Sequence, residues 1–193
     1  MLFNSIDFAI FLPIVFALYW FVFQRNLRLQ NFFLVAASYV FYGWWDWRFL
    51  ILMTATILSS YASGLLIDSA RRMTNKTVVR RRTRTIVFAN IAVNLLILGF
   101  FKYYNFFAQS FADAFTLFGK SPEIYSLKII LPVGISFYTF QALSYSIDVY
   151  RRKLEPTRDL IAFFAFVSFF PQLVAGPIER ATNLLTQFYL RRS

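Results

Sequence analysis

The sequence predicts an all-α fold, a polytopic transmembrane helical bundle of about five to six membrane segments with the last one broken or re-entrant. The chain of 193 residues is 59% hydrophobic and 21% aromatic, more than a soluble domain of this size can bury. Its apolar residues form runs close to the roughly 17–25 residues that a helix needs to cross the hydrocarbon. Its basic residues lie between these runs, in alternate loops, as the positive-inside rule expects.

Six apolar runs are the candidate membrane segments. The first has Asp7 in front of it and lacks the basic start and the small-residue cleavage site of a signal peptide. We therefore interpret it as a retained helix, and the chain as one continuous membrane domain. The six runs cover residues 8–23, 29–45, 49–67, 86–107, 128–149 and 160–177.

The loops between the runs predict the orientation of the bundle. The loops after the first, third and fifth runs are basic, and the alternate loops are poor in charge. This contrast places the N-terminus outside and the basic loops in the cytoplasm. The net charge of +11 follows the same layout, so we expect membrane lipid, and no nucleic acid, as a partner.

The longest basic segment, "RRMTNKTVVRRRTR" at residues 71–84, has two interpretations. It is either a topology signal that attracts anionic lipid or a docking surface for an anionic donor such as a nucleotide-bearing thioester. The first is favoured, because no glycine-rich loop of the kind that cradles phosphate is present.

Small and polar residues recur at helical spacing in the third and fourth runs. Ser60 and Gly64 lie four residues apart, which allows another helix to approach closely. Asn90 and Asn94 share one face of the next run. We expect these asparagines to form hydrogen bonds between helices.

The fifth run carries a polar stripe. Tyr138, Gln141, Tyr145 and Asp148 follow one another at spacings of three, four and three, which puts them on one helix face. Polar groups inside a membrane are costly unless they face the bundle interior or a wet cavity. The stripe therefore either holds helices together or lines a substrate path, and Asp148 could also lie in the interface beside Arg151.

The sixth run is interrupted twice, within "FFPQLVAGPIER" at residues 169–180. Pro171 should stop or kink the helix near Phe170, and Gly176-Pro177 gives a second break. Freed backbone groups survive at membrane depth only where protein or a water-filled cavity covers them. The segment should therefore be buried in the bundle or re-entrant.

A charged pair, Glu179 and Arg180, follows the second break. A re-entrant path would return Arg180 to the cytoplasmic side, in agreement with the charge rule. The pair could orient an anionic group or could pair within itself.

Four stretches together resemble the membrane-bound O-acyltransferase family. "PVGISFYTFQALSYSIDVYR" and "FFPQLVAGPIER" are similar to its central motifs, and "MLFNSIDFAIFLPIVFALYW" and "LQNFFLVAASYVFYGWWDWRFL" to its bacterial branch for alginate O-acetylation. The resemblance covers essentially the whole chain, with the motifs in the expected order. It implies a multi-pass protein of the bacterial inner membrane that moves an acyl group from a cytoplasmic thioester, typically acetyl-CoA, towards an exported polysaccharide. No bound cofactor is implied, and a periplasmic or extracytoplasmic acyltransferase is the implied partner.

The resemblance also implies that the catalytic histidine lies beyond Ser193. This chain contains no histidine and no cysteine, so neither a Ser-His-Asp set nor a metal site is expected. Residues 1–193 are then expected to be one N-terminal portion of the membrane domain, inactive alone. The resemblance implies that the central funnel is shaped by Tyr138, Gln141, Tyr145, Asp148, Pro171, Gly176, Pro177, Glu179 and Arg180.

Two other classes of function stay open. A transporter-like channel component would account for the polar stripe and the broken helix, but it predicts an inverted repeat that the sequence does not show. A non-catalytic membrane scaffold would follow if the chain is complete. Within the acyltransferase interpretation, alginate, another exopolysaccharide, peptidoglycan and teichoic acid are all candidate acceptors.

Overall fold

The computed structural model describes residues 5–44, 46–117, 134–177 and 179–191, and over these ranges the chain is helical without any strand. The predicted all-α class is confirmed. In chain order the helices are α1 (Ile6–Ala17), which a π-helical turn (Leu18–Val22) continues, α2 (Leu27–Gly43), α3 (Arg48–Arg71), α4 (Lys76–Leu117), α5 (Ile135–Tyr150), α6 (Leu160–Ser168), α7 (Phe170–Ala175) and α8 (Ala181–Gln187).

Two of the described helical segments are long and apolar enough to cross a membrane, namely Arg48–Arg71 and Lys76–Tyr104. Ile6–Val22 and Leu160–Leu173 are apolar but shorter. These segments coincide with four of the six predicted runs. The total of five to six membrane segments stays a prediction, and residues 128–133 of the fifth run lie outside the described residues.

Side-chain caps fix where several helices begin. Oδ1 of Asn26 accepts a hydrogen bond from the N–H of Arg28 at 3.0 Å, at the start of α2. Oδ1 of Asp159 accepts from the N–H of Ala162 at 3.0 Å, at the start of α6. Each cap satisfies a backbone donor that the first turn of a helix leaves without an internal partner.

The basic stretch between the third and fourth apolar runs is mostly helical, which corrects the prediction of a loop between these runs. α3 continues to Arg71 and α4 begins at Lys76, so only a short turn separates them. Oδ1 of Asn75 accepts from the N–H of Thr77 at 3.0 Å and starts α4 early. Arginine and lysine are good helix formers, so most of these basic side chains lie on the end of α3 and the first turns of α4.

In the interior of the bundle, α3 packs against α4 and α5. Gly64 of α3 lies directly under the Tyr145 ring of α5, and a Cβ added to Gly64 would lie 2.4 Å from Tyr145 Oη. The predicted close helix approach at Gly64 is confirmed.

The predicted hydrogen bonds between helices are also confirmed. Nδ2 of Asn90 donates to Ser146 Oγ at 2.9 Å and to Ser60 Oγ at 3.3 Å, and so joins α4 to α5 and α3. Nδ2 of Asn94 donates to Ser59 Oγ at 3.1 Å. These small polar side chains therefore hold three helices in register.

The last helix returns the chain to the end of the bundle from which α6 starts. The Tyr189 hydroxyl hydrogen-bonds to the hydroxyl of Thr157, which precedes α6, and burial raises the pKa of Tyr189. Nδ2 of Asn31, near the start of α2, donates to the Phe188 carbonyl at 2.9 Å. The segment between Thr157 and Phe188 thus enters and leaves at one end, as a re-entrant segment does. We call this the basic end, because the end of α3, with Arg71 and Arg72, and the basic loop 151–159 lie there.

Candidate functional site

The candidate site is built around a missing helical hydrogen bond. α6 ends at Ser168, α7 begins at Phe170, and Phe169 between them has φ −56° and ψ 102°, outside the helical region. In a continuous helix the N–H of Phe170 would donate to the carbonyl of Phe166. At Phe169 both groups lose that partner in an apolar interior, where an unpaired backbone group is costly.

Two side chains from neighbouring helices replace the lost partners. Oγ of Ser38, in α2, accepts from the Phe170 N–H at 3.3 Å. Nε2 of Gln141, in α5, donates to the Phe166 carbonyl at 3.0 Å. The break predicted from Pro171 is thus present, one residue earlier than expected, and it is covered by protein as membrane depth requires.

A second amide extends this network across α7. Nε2 of Gln141 also donates to Oε1 of Gln172 at 3.1 Å, and Nε2 of Gln172 donates to the Pro177 carbonyl at 3.0 Å. Both glutamines are buried. A continuous chain of amides therefore links the polar stripe of α5 to both breaks.

The second break depends on a glycine for space. The N–H of Gly176 donates to the Gln172 carbonyl at 2.9 Å and closes the last turn of α7. A Cβ at Gly176 would lie 2.8 Å from Gln172 Cα and 3.0 Å from its carbonyl oxygen. Pro171 is half-buried in the first turn of α7, where its missing N–H costs nothing, and Pro177 is exposed.

The four residues of the predicted polar stripe are all buried, so the stripe faces the bundle interior. Tyr145 has a clear structural task, because its hydroxyl accepts from the N–H of Thr157 at 3.1 Å and its ring packs against Phe163. That contact ties α5 to the loop before α6.

Tyr138 is bonded differently from Gln141 and Tyr145. It is 2% exposed, and its hydroxyl has no hydrogen-bond partner among the described residues. The hydroxyl of Tyr42, in α2, is also buried without a hydrogen-bond partner among the described residues. Buried hydroxyls ordinarily have partners, so these two phenols have unused hydrogen-bonding capacity in the interior.

Asp148 is buried in the bundle and is not paired with Arg151 in the described part of the chain. It is 6% exposed, whereas Arg151 is exposed, and it forms no ion pair within the described part of the chain. Its Oδ2 atom has no hydrogen-bond partner there either. The last turn of α5 is held instead by Arg71, whose guanidinium donates to the Val149 carbonyl.

The charged pair after the second break is not joined. Glu179 is half-buried and Arg180 is exposed, and no ion pair between them occurs in the described ranges. The backbone carbonyl of Arg180 accepts from Asn183 at 3.0 Å and starts α8. The structure therefore shows no ion pair between Glu179 and Arg180.

The sequence predicted most residues of the network around the two breaks, but not Ser38 and Gln172. Ser38 and Gln172 were not singled out, although they supply an acceptor and a relay to the network. The available signal was a polar residue inside an apolar run, and in Gln172 a residue that stands directly after Pro171.

The chemistry available at this centre is that of its amide, phenol and carboxylate side chains, namely Gln141, Gln172, Tyr42, Tyr138 and Asp148. Among the described residues there is no group of three His, Cys, Asp or Glu able to hold a metal ion. The sequence offers no histidine as a base. The arrangement can position and stabilise a broken backbone in a bundle interior and can offer phenol and amide groups to a ligand.

Comparison with known proteins gives a consistent set of relatives. The chain is 41% identical over 189 residues to the probable alginate O-acetylase AlgI of Pseudomonas aeruginosa and 42% identical to that of Pseudomonas putida. It is 32% identical over 215 residues to the peptidoglycan O-acetyltransferase of Helicobacter pylori. No family model and no solved structure matches the chain.

The similarity covers 97% of this chain in all three cases but only part of each relative. It covers 34%, 37% and 38% of the P. aeruginosa, P. putida and H. pylori proteins, respectively. The chain thus spans about a third of the length of the curated relatives it matches.

Proposed function

We propose, on the premise that this chain is a homologue of the bacterial alginate O-acetylases, that it is part of a membrane-bound O-acyltransferase that acetylates an exported polysaccharide. The observation that carries the proposal is 41% identity along nearly the whole chain. A relative named for another glycan, peptidoglycan, is also an O-acetyltransferase by name. O-acetyl transfer to a glycan is the activity common to both names.

The proposed reaction is acyl transfer from a thioester. The donor is acetyl-CoA or another cytoplasmic acyl thioester, whose carbon–sulfur bond breaks as an ester bond to a hydroxyl oxygen forms. The hydroxyl proton passes to a base and the thiol leaves. The resemblance to the membrane-bound O-acyltransferases implies a histidine as this base, and residues 1–193 contain none.

This chain would supply part of the wall of the acyl path. The amide chain from Gln141 through Gln172 to the Pro177 carbonyl supports this role, because it keeps irregular backbone stable inside the bundle. Broken helices line ligand sites in other membrane proteins. The unpartnered hydroxyls of Tyr42 and Tyr138 are the groups we assign to contact with the passing substrate.

The proposed location is the bacterial inner membrane, with the N-terminus outside and the basic end in the cytoplasm. The donor would then approach from the basic end. An acyltransferase on the opposite side of the membrane would be the partner that receives the acetyl group for the polysaccharide.

A chimera tests the proposal. In a P. aeruginosa strain without its own alginate O-acetylase, we would express that protein with its aligned third replaced by this chain, and measure acetyl esters on secreted alginate by proton NMR. Restored acetylation is expected. A chimera that reaches the membrane in normal amount but leaves alginate without acetyl esters would contradict the proposal.

The acceptor needs a separate measurement. Alginate and peptidoglycan are both candidates, because the relatives are named for one or the other. Acetyl esters on both glycans would be measured in the native host before and after deletion of the gene. The glycan that loses its esters is the acceptor.

A further inference from the structure

The basic end of the bundle contains a cavity that the proposed acyl path does not use. Its volume is about 630 Å³, and it lies between the end of α3, the first turns of α4 and the end of α5. We call it the basic cleft. Its lining includes four cations, namely Arg71, Lys76, Arg80 and Arg152, and three uncharged polar side chains, namely Thr74, Thr83 and Tyr150.

The positive charge of the basic cleft is not neutralised by any residue that the structure describes. No carboxylate lines it, and its four cations form no ion pair in the part of the chain that the structure describes. The nearby Asp68 is used elsewhere, because it pairs with Arg72 at 2.9 Å and with Arg158 at 3.4 Å. Like charges around one concave space repel one another and favour an anion between them.

One of these cations is already fixed in place. The Arg71 guanidinium donates to the carbonyls of Val149 and Tyr150 at the end of α5. Its side chain is therefore partly buried and ordered before any ligand arrives. A donor ordered in advance loses less conformational freedom on binding.

Another cation occupies a strained backbone position. Arg152 has φ 59°, and its N–H donates to the Val149 carbonyl at 3.0 Å while that of Lys153 donates to the Asp148 carbonyl at 2.9 Å. This is the Schellman ending of a helix, in which glycine usually takes the left-handed position. An arginine there carries strain that glycine would not, and its side chain lines the basic cleft.

From the cleft, its charge and these two arginines we propose that the basic cleft binds a phosphate group, with Arg71, Arg80 and Arg152 donating to its oxygens. Arginine suits this task because its planar guanidinium forms paired, charge-assisted hydrogen bonds with phosphate. The phosphate belongs either to a soluble nucleotide-bearing molecule or to an anionic phospholipid headgroup. The proposal does not require acetyl transfer, because binding is measured directly.

Two probes applied to the purified chain distinguish the sources. Coenzyme A is titrated in neutral detergent, and phosphatidylglycerol is titrated in mixed micelles with phosphatidylcholine as the neutral control. Saturable binding of coenzyme A alone identifies a soluble source, and binding of phosphatidylglycerol alone identifies a headgroup. Saturable binding of both supports the site without restricting its source, and saturable binding of neither overturns the proposal.

Neighbouring arginines on α4 provide a matched pair of variants. Arg80 lines the basic cleft, and Arg81, also exposed, does not. Arg80→Glu should weaken binding about tenfold or more, because a charge-assisted hydrogen bond is lost and repulsion replaces it. Arg81→Glu changes the net charge equally and should have little effect. Equal weakening by the two variants would mean general charge attraction and would overturn the proposal.

Arg152→Gly gives a second, independent readout. Removal of the strained arginine should raise the melting temperature or leave it unchanged, because glycine accepts the left-handed conformation. The same variant should weaken phosphate binding severalfold. A purely structural Arg152 would leave binding unchanged, and that result would remove Arg152 from the site.

Discussion

The Gln141 side-chain amide donates at once to the Phe166 carbonyl at 3.0 Å and to Oε1 of Gln172 at 3.1 Å. One side chain of α5 therefore replaces a partner lost at the end of α6 and also holds the helix that follows. A break in an apolar bundle is stable only when such substitutes exist. Gln141 therefore supports the re-entrant segment at two points.

Gln141→Leu should destabilise the protein substantially. Leucine has a similar volume but no donor, so two buried acceptors, the Phe166 carbonyl and Gln172 Oε1, would lose a bond. Each buried polar atom left without a partner costs about 1–3 kcal/mol. We expect a lower melting temperature in detergent, and no acetylation by the chimera described above.

The neighbouring Phe140 provides the control for that experiment. It lies on the same helix but is half-exposed, so Phe140→Leu should change the melting temperature little. If Gln141→Leu and Phe140→Leu had the same melting temperature, the hydrogen bonds of the Gln141 amide would contribute no measurable stability. The proposed role of Gln141 would then be wrong.

Gly176→Ala should also destabilise the protein. The added methyl group would lie 2.8 Å from Gln172 Cα, within backbone that cannot move without disturbing the amide chain. Overpacking of this kind costs about 1–3 kcal/mol. Chemical denaturation in detergent would measure the loss.

Gly99 gives the opposite expectation for the same substitution. It lies in α4 with nothing within 4 Å of an added Cβ. Gly99→Ala should stabilise the helix by about 0.5–1 kcal/mol, because alanine restricts the unfolded chain and favours helix. Destabilisation of equal size at Gly99 and Gly176 would contradict the space argument.

The sequence was sufficient for the helical class, the interhelical asparagines and the existence of a broken segment. These features follow from the spacing and the type of the residues alone. Pro171 and Gly176, for example, disturb a helix whatever packs against it. The partners of the freed backbone could not be predicted, since Ser38 and Gln141 meet the break only after three distant segments pack together. Nothing local in the sequence marks one serine in an apolar run as that partner.

The basic segment shows the other limit of the sequence. The position of this segment between two apolar runs predicted a loop, whereas the local cap at Asn75 and the helix propensity of the basic residues extend α4 through it. The cleft depends on Arg152, which reaches the same space from the end of α5. That juxtaposition is tertiary, so only the folded chain reveals it.

Ser38→Ala should destabilise the protein at the first break, between α6 and α7. The Phe170 N–H would lose its acceptor in α2 and remain buried. We expect a loss of about 1 kcal/mol, measured as a lower denaturation midpoint. Ser144→Ala is the control, since the Ser144 hydroxyl donates to the Gln141 carbonyl one turn earlier in its own helix and, among the described residues, to no other helix. A larger loss at Ser144 than at Ser38 would contradict the proposed covering.

Gly64→Ala should force α3 away from α5. The added methyl group would lie 2.4 Å from Tyr145 Oη and 2.8 Å from Tyr145 Cε1, so the ring must shift or the helices must separate. Tyr145→Phe alone should cost about 1 kcal/mol, because the Thr157 N–H loses its acceptor. Combined with Gly64→Ala it removes the closest clash, so the double variant should lose less stability than the two single losses added together. Unfolding of all three variants in the same detergent gives the coupling, and strict additivity would show that the Tyr145 hydroxyl does not limit the approach of these helices.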